Sequence, residues 1–287
     1  MPDPRRILTT VHRATELFLH TPRRSGLLVD LVAARPEADV FVVGDLHGNL
    51  ANFRAALTAA ALDRHPFRHI VFQEVVHGPF RYPGNGCTSH QIVDLIAALK
   101  CRFGERVHYI PGNHEIAELR RATILKNGER QDVAFRAGIE HAYGRWAVEI
   151  HHAYRRLFAS LPLAVRTPNG VLIVHSLPDE RTLERGFDFG VFAAATLDEL
   201  SLERRSPAYE LLWGRRTSRK SAEAFLGNLG CRFAVTGHLP SPEGFQIIDD
   251  YRIVVDASRC PGCACLVPLS EQIRSAAELQ ARLVRLS

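Results

Sequence analysis

The chain has 287 residues, 46% of them hydrophobic and 23% charged. That length is within reach of one large α/β domain, and the composition excludes a disordered chain. Lys and Arg number 36 against 31 Asp and Glu, a formal charge of +5; this mild excess suits anionic substrates but by itself selects no partner class.

In chain order, residues 1–36 read as an N-terminal helical extension. Arg5 and Arg6 are followed by no continuous apolar core, and no apolar run reaches membrane-spanning length, so the reading is a cytoplasmic chain with no signal peptide and no membrane partner. Residues 39–44 (Asp-Val-Phe-Val-Val-Gly) read as a buried strand feeding a turn, followed by a helix from about Leu50 to Leu62. Residues 69–74 make the next strand. Ser89 then caps a helix with Ile92, Leu95, Ile96 and Leu99 on one stripe, and residues 106–111 make a third strand. A helical stretch from about Glu140 to Ser160 precedes two further buried strands, Val171 to His175 and Arg232 to Thr236.

The pattern is weakest over residues 176–230, which read as a cap or an insertion. Gly244 to Asp249, Tyr251 to Asp256 and Ala264 to Pro268 read as short strands joined by tight turns, hence antiparallel hairpins. Residues 271–287 read as a C-terminal helix. Two mixed sheets packed face to face and flanked by helices satisfy both the βαβ-like first part and the meander-like last part, so the expected fold class is an α/β sandwich with its principal domain over 37–270.

Six cysteines are present, and only Cys260, Cys263 and Cys265 cluster. Three thiols leave a structural zinc site one ligand short, so a Pro-Gly turn flanked by small buried cysteines is the preferred reading.

The chemistry gathers at strand ends. Gly44-Asp45-Leu46-His47-Gly48-Asn49, Gln73-Glu74, Gly112-Asn113-His114-Glu115, Val174-His175-Ser176 and Gly237-His238 each end an apolar run. Ligand sites in open α/β sheets lie beyond the carboxyl ends of the strands, so these five ends converge on one crevice. Carboxylate, imidazole and amide oxygen together suit Mn, Fe or Zn, and a shared carboxylate can bridge two ions that clamp a phosphoryl group. Any one of these polar residues alone would be an ordinary hydrogen-bonded loop residue; the joint order carries the reading.

That ordered set resembles the calcineurin-like metallophosphoesterase superfamily, and within it the phosphoprotein (Ser/Thr) phosphatase branch. Gly-Asp-Leu-His-Gly at 44–48 matches the first motif and Gly-Asn-His-Glu at 112–115 the third. The resemblance implies two divalent metal ions (Mn, Fe or Zn), with Asp45, His47 and Glu74 on one and Glu74, Asn113, His175 and His238 on the other. It implies His114 as the general acid that protonates the leaving oxygen, a role suited to an imidazole. The implied reaction is hydrolysis of phosphomonoesters by in-line attack of a hydroxide bound to the dinuclear centre. Phosphorylated proteins or small molecules are the implied partners, and nucleic acid is not expected.

The second motif departs from the pattern. Glu74 stands where the family has its bridging Asp, His77 where an Asp orients the catalytic histidine, and Gly78 where an Arg grips phosphate. Arg215 is the expected replacement for that Arg; the alternative is that the basic run 215–220 is only an exposed loop. His77 could contact substrate or hydrogen-bond His114. These departures keep two other functions open, a nucleotide phosphohydrolase or phosphodiesterase and a metal-binding pseudophosphatase scaffold.

Overall fold

The computed structural model describes residues 3–126 and 128–286. It opens with α1 (Pro4–Leu19), started by the Asp3 side chain accepting from Arg5 N and by Pro4 in the first turn. Leu8, Val11, Thr15 and Phe18 fall on its buried face. Two short strands, β1 (Arg24–Ser25) and β2 (Leu28–Asp30), follow. The segment expected as a helical extension is therefore also part of a sheet.

Next come β3 (Asp39–Val43), α2 (Leu50–Ala60), β4 (Arg68–Gln73), α3 (His90–Phe103) and β5 (Val107–Ile110), a βαβαβ run in which β3, β4 and β5 pair in parallel. In α3 the stripe is rotated from the expected one. Ile92, Val93, Ile96, Ala97 and Lys100 are buried, while Leu95 is 40% exposed. Ser89 stands at the N-cap, but its hydroxyl accepts from His77 N instead of capping the helix.

After β5 come α4 (Asn113–Arg120), the small hairpin β6 (Leu125–Lys126) and β7 (Glu129–Arg130), α5 (Gln131–Tyr143) and α6 (Ala147–Ala159). The single helical stretch expected from Glu140 to Ser160 is thus two helices, divided where Gly144 takes φ +52°.

Strands β8 (Ala164–Arg166) and β9 (Val171–Val174) precede the 176–230 segment. That segment carries α7 (Glu180–Glu184), α8 (Pro207–Trp213) and α9 (Arg219–Asn228), then enters β10 (Phe233–Thr236), the parallel neighbour of β9. It is the crossover that a parallel pair requires.

The last elements are β11 (Phe245–Ile248), β12 (Arg252–Val255), β13 (Gly262–Pro268), α10 (Ala276–Gln280) and β14 (Leu283–Leu286). The C-terminal helix expected over 271–287 is a five-residue helix followed by a strand. Leu283 to Leu286 pair with β13, and main-chain pairing at a sheet edge outweighs a short helix with little apolar face.

One sheet runs β1-β2-β8-β9-β10-β12-β11 and the other β14-β13-β3-β4-β5. The tail is not a simple meander: β11 and β12 form a hairpin in the first sheet, whereas β13 crosses to the second and pairs antiparallel with β3. Alternation along each strand builds the layers. Val40, Val42, Val71, Val171, Ile173, Phe233, Val235, Ile253 and Val267 fill the space between the sheets. Their neighbours Phe41, Val43, Ile70, Phe72, Leu172, Val174 and Ala234 face the helices. Among the described residues no helix is long and apolar enough to cross a membrane.

Candidate metal centre

The site sits beyond the carboxyl ends of β3, β4, β5, β9 and β10. Asp45 and His47 follow β3, Glu74 follows β4, Asn113 opens α4 after β5, His175 follows β9 and His238 follows β10. The three turns nearest the crevice are unusual in backbone. His47, Glu74 and His238 are non-glycine residues with φ of +43°, +37° and +67°, and His77 joins them at +61°. Such conformations persist only where surrounding structure enforces them, and they gather at sites that must aim a side chain.

Two donor groups form there, Asp45–His47–Glu74 and Glu74–His175–His238, each with its ligand atoms within 4.8 Å of one another. Glu74 is common to both. Its Oε2 lies 3.3 Å from His47 Nε2 and its Oε1 3.5 Å from His175 Nε2. Asp45 Oδ1 lies 3.7 Å from His175 Nδ1, and Asn113 Oδ1 lies 3.3 Å from His175 Nε2. Two donors each about 2.1 Å from a common ion stand roughly 3–3.5 Å apart, so this spacing fits cation ligation.

Three further observations fit a cation. Asp45 Oδ1, His175 Nδ1 and His238 Nε2 are buried with no hydrogen-bond partner, an arrangement that is expensive unless something else meets those lone pairs. Burial, followed by mutual repulsion with neighbouring carboxylates, pushes Asp45 and Glu74 well above the usual carboxylate range. Burial also lowers His47 and His238 to about 3, so their imidazoles are neutral and their lone pairs available. Clustered acids short of positive charge, beside neutral imidazoles, form a mixed N/O donor set for a divalent ion.

The supporting contacts explain the precision. Val76 O accepts from His47 Nδ1 at 3.1 Å, which leaves Nε2 as the bare nitrogen facing Glu74. Asp45 Oδ2 accepts from His238 N at 2.6 Å, and Glu74 Oε1 accepts from His114 N at 3.1 Å. Two glycines make room: a Cβ at 112 would stand 2.3 Å from Glu74 Oε1, and one at 237 would stand 2.0 Å from Asp45 Oδ1.

His114 adjoins Asn113 on α4 and is buried, and that burial first of all holds its imidazole well below the ordinary histidine value. His77 is fully buried, and its Nδ1 lies 3.0 Å from His114 Nδ1.

Gly78 has a steric cause. A Cβ there would stand 1.6 Å from His47 O, so the close approach of the two loops admits no side chain, an arginine included. A cavity of about 200 Å³ opens over Asp45, His47 and His238, and its basic lining comes from Arg81, Lys126 and Arg259. The hairpin of β6 and β7 covers it with Lys126 and Glu129; no residue of 176–230 lines it. Arg215 is exposed beside the site. Asp179 Oδ1 accepts from its main-chain N at 2.6 Å, and its charge acts on both His175 and His238.

Sequence reasoning missed several residues. Glu115, fully buried, ties the β4 and β5 turns together: its Oε1 accepts from Val75 N, Val76 N and Tyr109 Oη, and its Oε2 from Gly112 N. Glu118 follows His114 by four residues, a spacing that places both on one helix face and could have signalled it. Asp256 accepts from Ser241 N and Ser258 N, and no local pattern pointed to it. Cys260 is exposed on a turn, and Cys263 and Cys265 are buried in β13.

The family model for calcineurin-like phosphoesterase matches residues 38–242, most of the chain. This protein belongs to the calcineurin-like phosphoesterase family. Among solved structures, a protein serine/threonine phosphatase from Saccharomyces cerevisiae is 19% identical at a TM-score of 0.72, covering 99% of this chain and 89% of that one. A cold-active protein-tyrosine phosphatase of a psychrophilic Shewanella species is 14% identical at a TM-score of 0.63, covering 95% and 84%. At these identities the likeness is one of fold. The phosphoesterase is a metal-dependent hydrolase of phosphoester bonds, and its substrates are phosphorylated.

Proposed function

We propose that this phosphoesterase hydrolyses phosphomonoesters, phosphoserine and phosphothreonine of proteins among them, at a dinuclear centre. The observation that carries the reading is Glu74, whose two carboxylate oxygens face two different donor groups. Asp45 and His47 would complete one site, and Asn113, His175 and His238 the other. Divalent ions held there supply Lewis-acid polarisation of a phosphoryl oxygen and activation of water at neutral pH.

The chain's own residues do the rest. The cavity over the centre holds a small, doubly charged head group between Arg81, Lys126 and Arg259. Arg215 does not line it, but its charge acts on His175 and His238, which makes it a further phosphate-binding candidate. His114, whose ring centroid lies 4.8 Å from that of His47, donates a proton to the departing oxygen as the P–O bond breaks. Two structural neighbours are named for phosphatase activity on proteins, one serine/threonine and one tyrosine, which favours a phosphoprotein over a nucleotide. Manganese and a cytoplasmic location belong to the same proposal.

The test is hydrolysis of p-nitrophenyl phosphate, phosphopeptides and nucleotides by the protein loaded with Mn, alongside elemental analysis. Turnover of phosphopeptides with close to two metals per chain is expected, and Asp45→Asn should lower the rate by at least about 100-fold. Activity confined to nucleotides would reject the phosphoprotein reading. Bound metal with no turnover on any substrate would reject catalysis.

A further inference from the structure

His77 does not stand alone behind His114. Its Nε2 lies 2.7 Å from Glu118 Oε1, and the other oxygen of Glu118 lies 2.8 Å from His151 Nε2. His114, His77 and Glu118 are buried, Glu118 only 3% exposed, and His151 is half-buried. The order is His114, His77, Glu118, His151, and it links the turn after β4 to α4 and α6.

Hydrogen-bond chemistry fixes the protons. A carboxylate oxygen accepts only, so the hydrogen between His77 and Glu118 sits on His77 Nε2. The single hydrogen between the two Nδ1 atoms then belongs to one ring or the other. For His114 Nε2 to carry the proton it donates, the two rings together must hold three hydrogens and one positive charge. Glu118 is the carboxylate bonded directly to that pair, through His77 Nε2. When the P–O bond breaks, the Nε2 hydrogen passes to the leaving oxygen, and two hydrogens remain on the neutral pair.

The surroundings are built for fixed geometry. Ser89 Oγ accepts from His77 N at 3.2 Å, and the Phe135 ring meets the His77 ring edge-on at 5.5 Å. Arg155 on α6 donates to the main-chain oxygens of Glu118 and Leu119 at 3.1 and 2.7 Å, which pins α6 against the end of α4. His151 is therefore delivered to Glu118 by the packing of two helices.

We propose that Glu118 is a positioning residue for His114. Acting through His77, it supplies the orienting carboxylate that position 77 itself lacks, and His151 holds it in place. The proposal rests on His114 being the proton donor.

The test is leaving-group dependence in the full-length, metal-loaded protein. A proton donor matters for a poor leaving group and little for a good one, so phenyl phosphate and 2,4-dinitrophenyl phosphate separate the roles. Glu118→Gln keeps size and shape. It should lower kcat on phenyl phosphate roughly 10–100-fold, leave dinitrophenyl phosphate within about threefold, and leave KM and metal content unchanged. The double variant His77→Asp with Glu118→Gln places a carboxylate against His114 and should recover most of the phenyl phosphate rate. His114→Asn should show the same selective loss, and adding Glu118→Gln to it should cause little more.

Equal loss on both substrates, or no loss on phenyl phosphate, overturns the role of Glu118. If His114→Asn is selective while Glu118→Gln is not, this inference alone fails. If His114→Asn shows no selectivity, His114 is not the donor, and the inference falls with that reading.

Discussion

Glu74 and Gly112 are a matched pair. The extra methylene of a glutamate pushes its carboxyl further into the crevice, and the space it needs is the space a Cβ at 112 would fill. Gly112→Ala should therefore displace the shared carboxylate. Metal content should fall, and activity should drop at least about 10-fold, while far-ultraviolet circular dichroism stays as in the parent. Position 78 makes the opposite point. Gly78→Arg would not restore a phosphate clamp, because the new Cβ meets His47 O. Its expected outcome is loss of activity and a loss of roughly 1–3 kcal/mol in stability, read from a denaturant midpoint. Normal stability with raised activity would show that the two loops separate easily.

At the scale of elements, the β6–β7 hairpin is what encloses the cavity. It brings Lys126 and Glu129 over the centre, and Glu129 lies 3.3 Å from Arg81. Lys126→Ala should raise KM for p-nitrophenyl phosphate several-fold and change kcat by less than about twofold. That is the pattern of a contact made equally in the ground and transition states. The hairpin was not legible in the sequence, because two-residue strands on a charged surface leave no periodicity to read. The neighbouring helices were only half legible. An apolar stripe placed α3, and the helical stretch read over about 140–160 covered α6, but its split from α5 depended on Gly144, and a lone glycine inside a helical pattern does not announce a break.

At the scale of the molecule, the candidate ligands come from both sheets. Asp45, His47, Glu74 and Asn113 follow strands of one, while His175 and His238 follow strands of the other. A cation held by both groups would cross-link the sandwich. Chelation should lower the thermal midpoint by several degrees and added metal should restore it, since a ligand that binds only the folded state stabilises it by mass action. A midpoint indifferent to chelator would count against metal bound across the two sheets.

A second whole-molecule effect lies at Lys100, buried in α3 with Nζ 3.0 Å from both Thr21 Oγ1 and Val107 O. Burial, aided by the charge of Arg24, depresses it from 10.5 to about 7. The unfolded chain then binds more protons between about pH 7 and 10.5, so this lysine adds stability as pH rises through that window, and the gain is lost as pH falls back to 7. The full effect is up to roughly 4–5 kcal/mol, and solvent relaxation reduces it. Lys100→Met should flatten the rise of the thermal midpoint over that range.

The sequence by itself determined which strands are buried, because continuous apolar runs ending in Gly and a polar residue have few other uses. It also determined the order of the polar strand ends, and hence the family. Only the tertiary structure decided that β13 pairs with β3, since period-two alternation specifies a face and not a partner, and that residues 283–286 form its other neighbour and not part of a helix. It alone decided that Glu118 and His151 stand behind His77, because their meeting depends on how α4 and α6 pack. And it alone decided why position 78 is glycine: a close approach between two loops leaves no trace in either loop read separately.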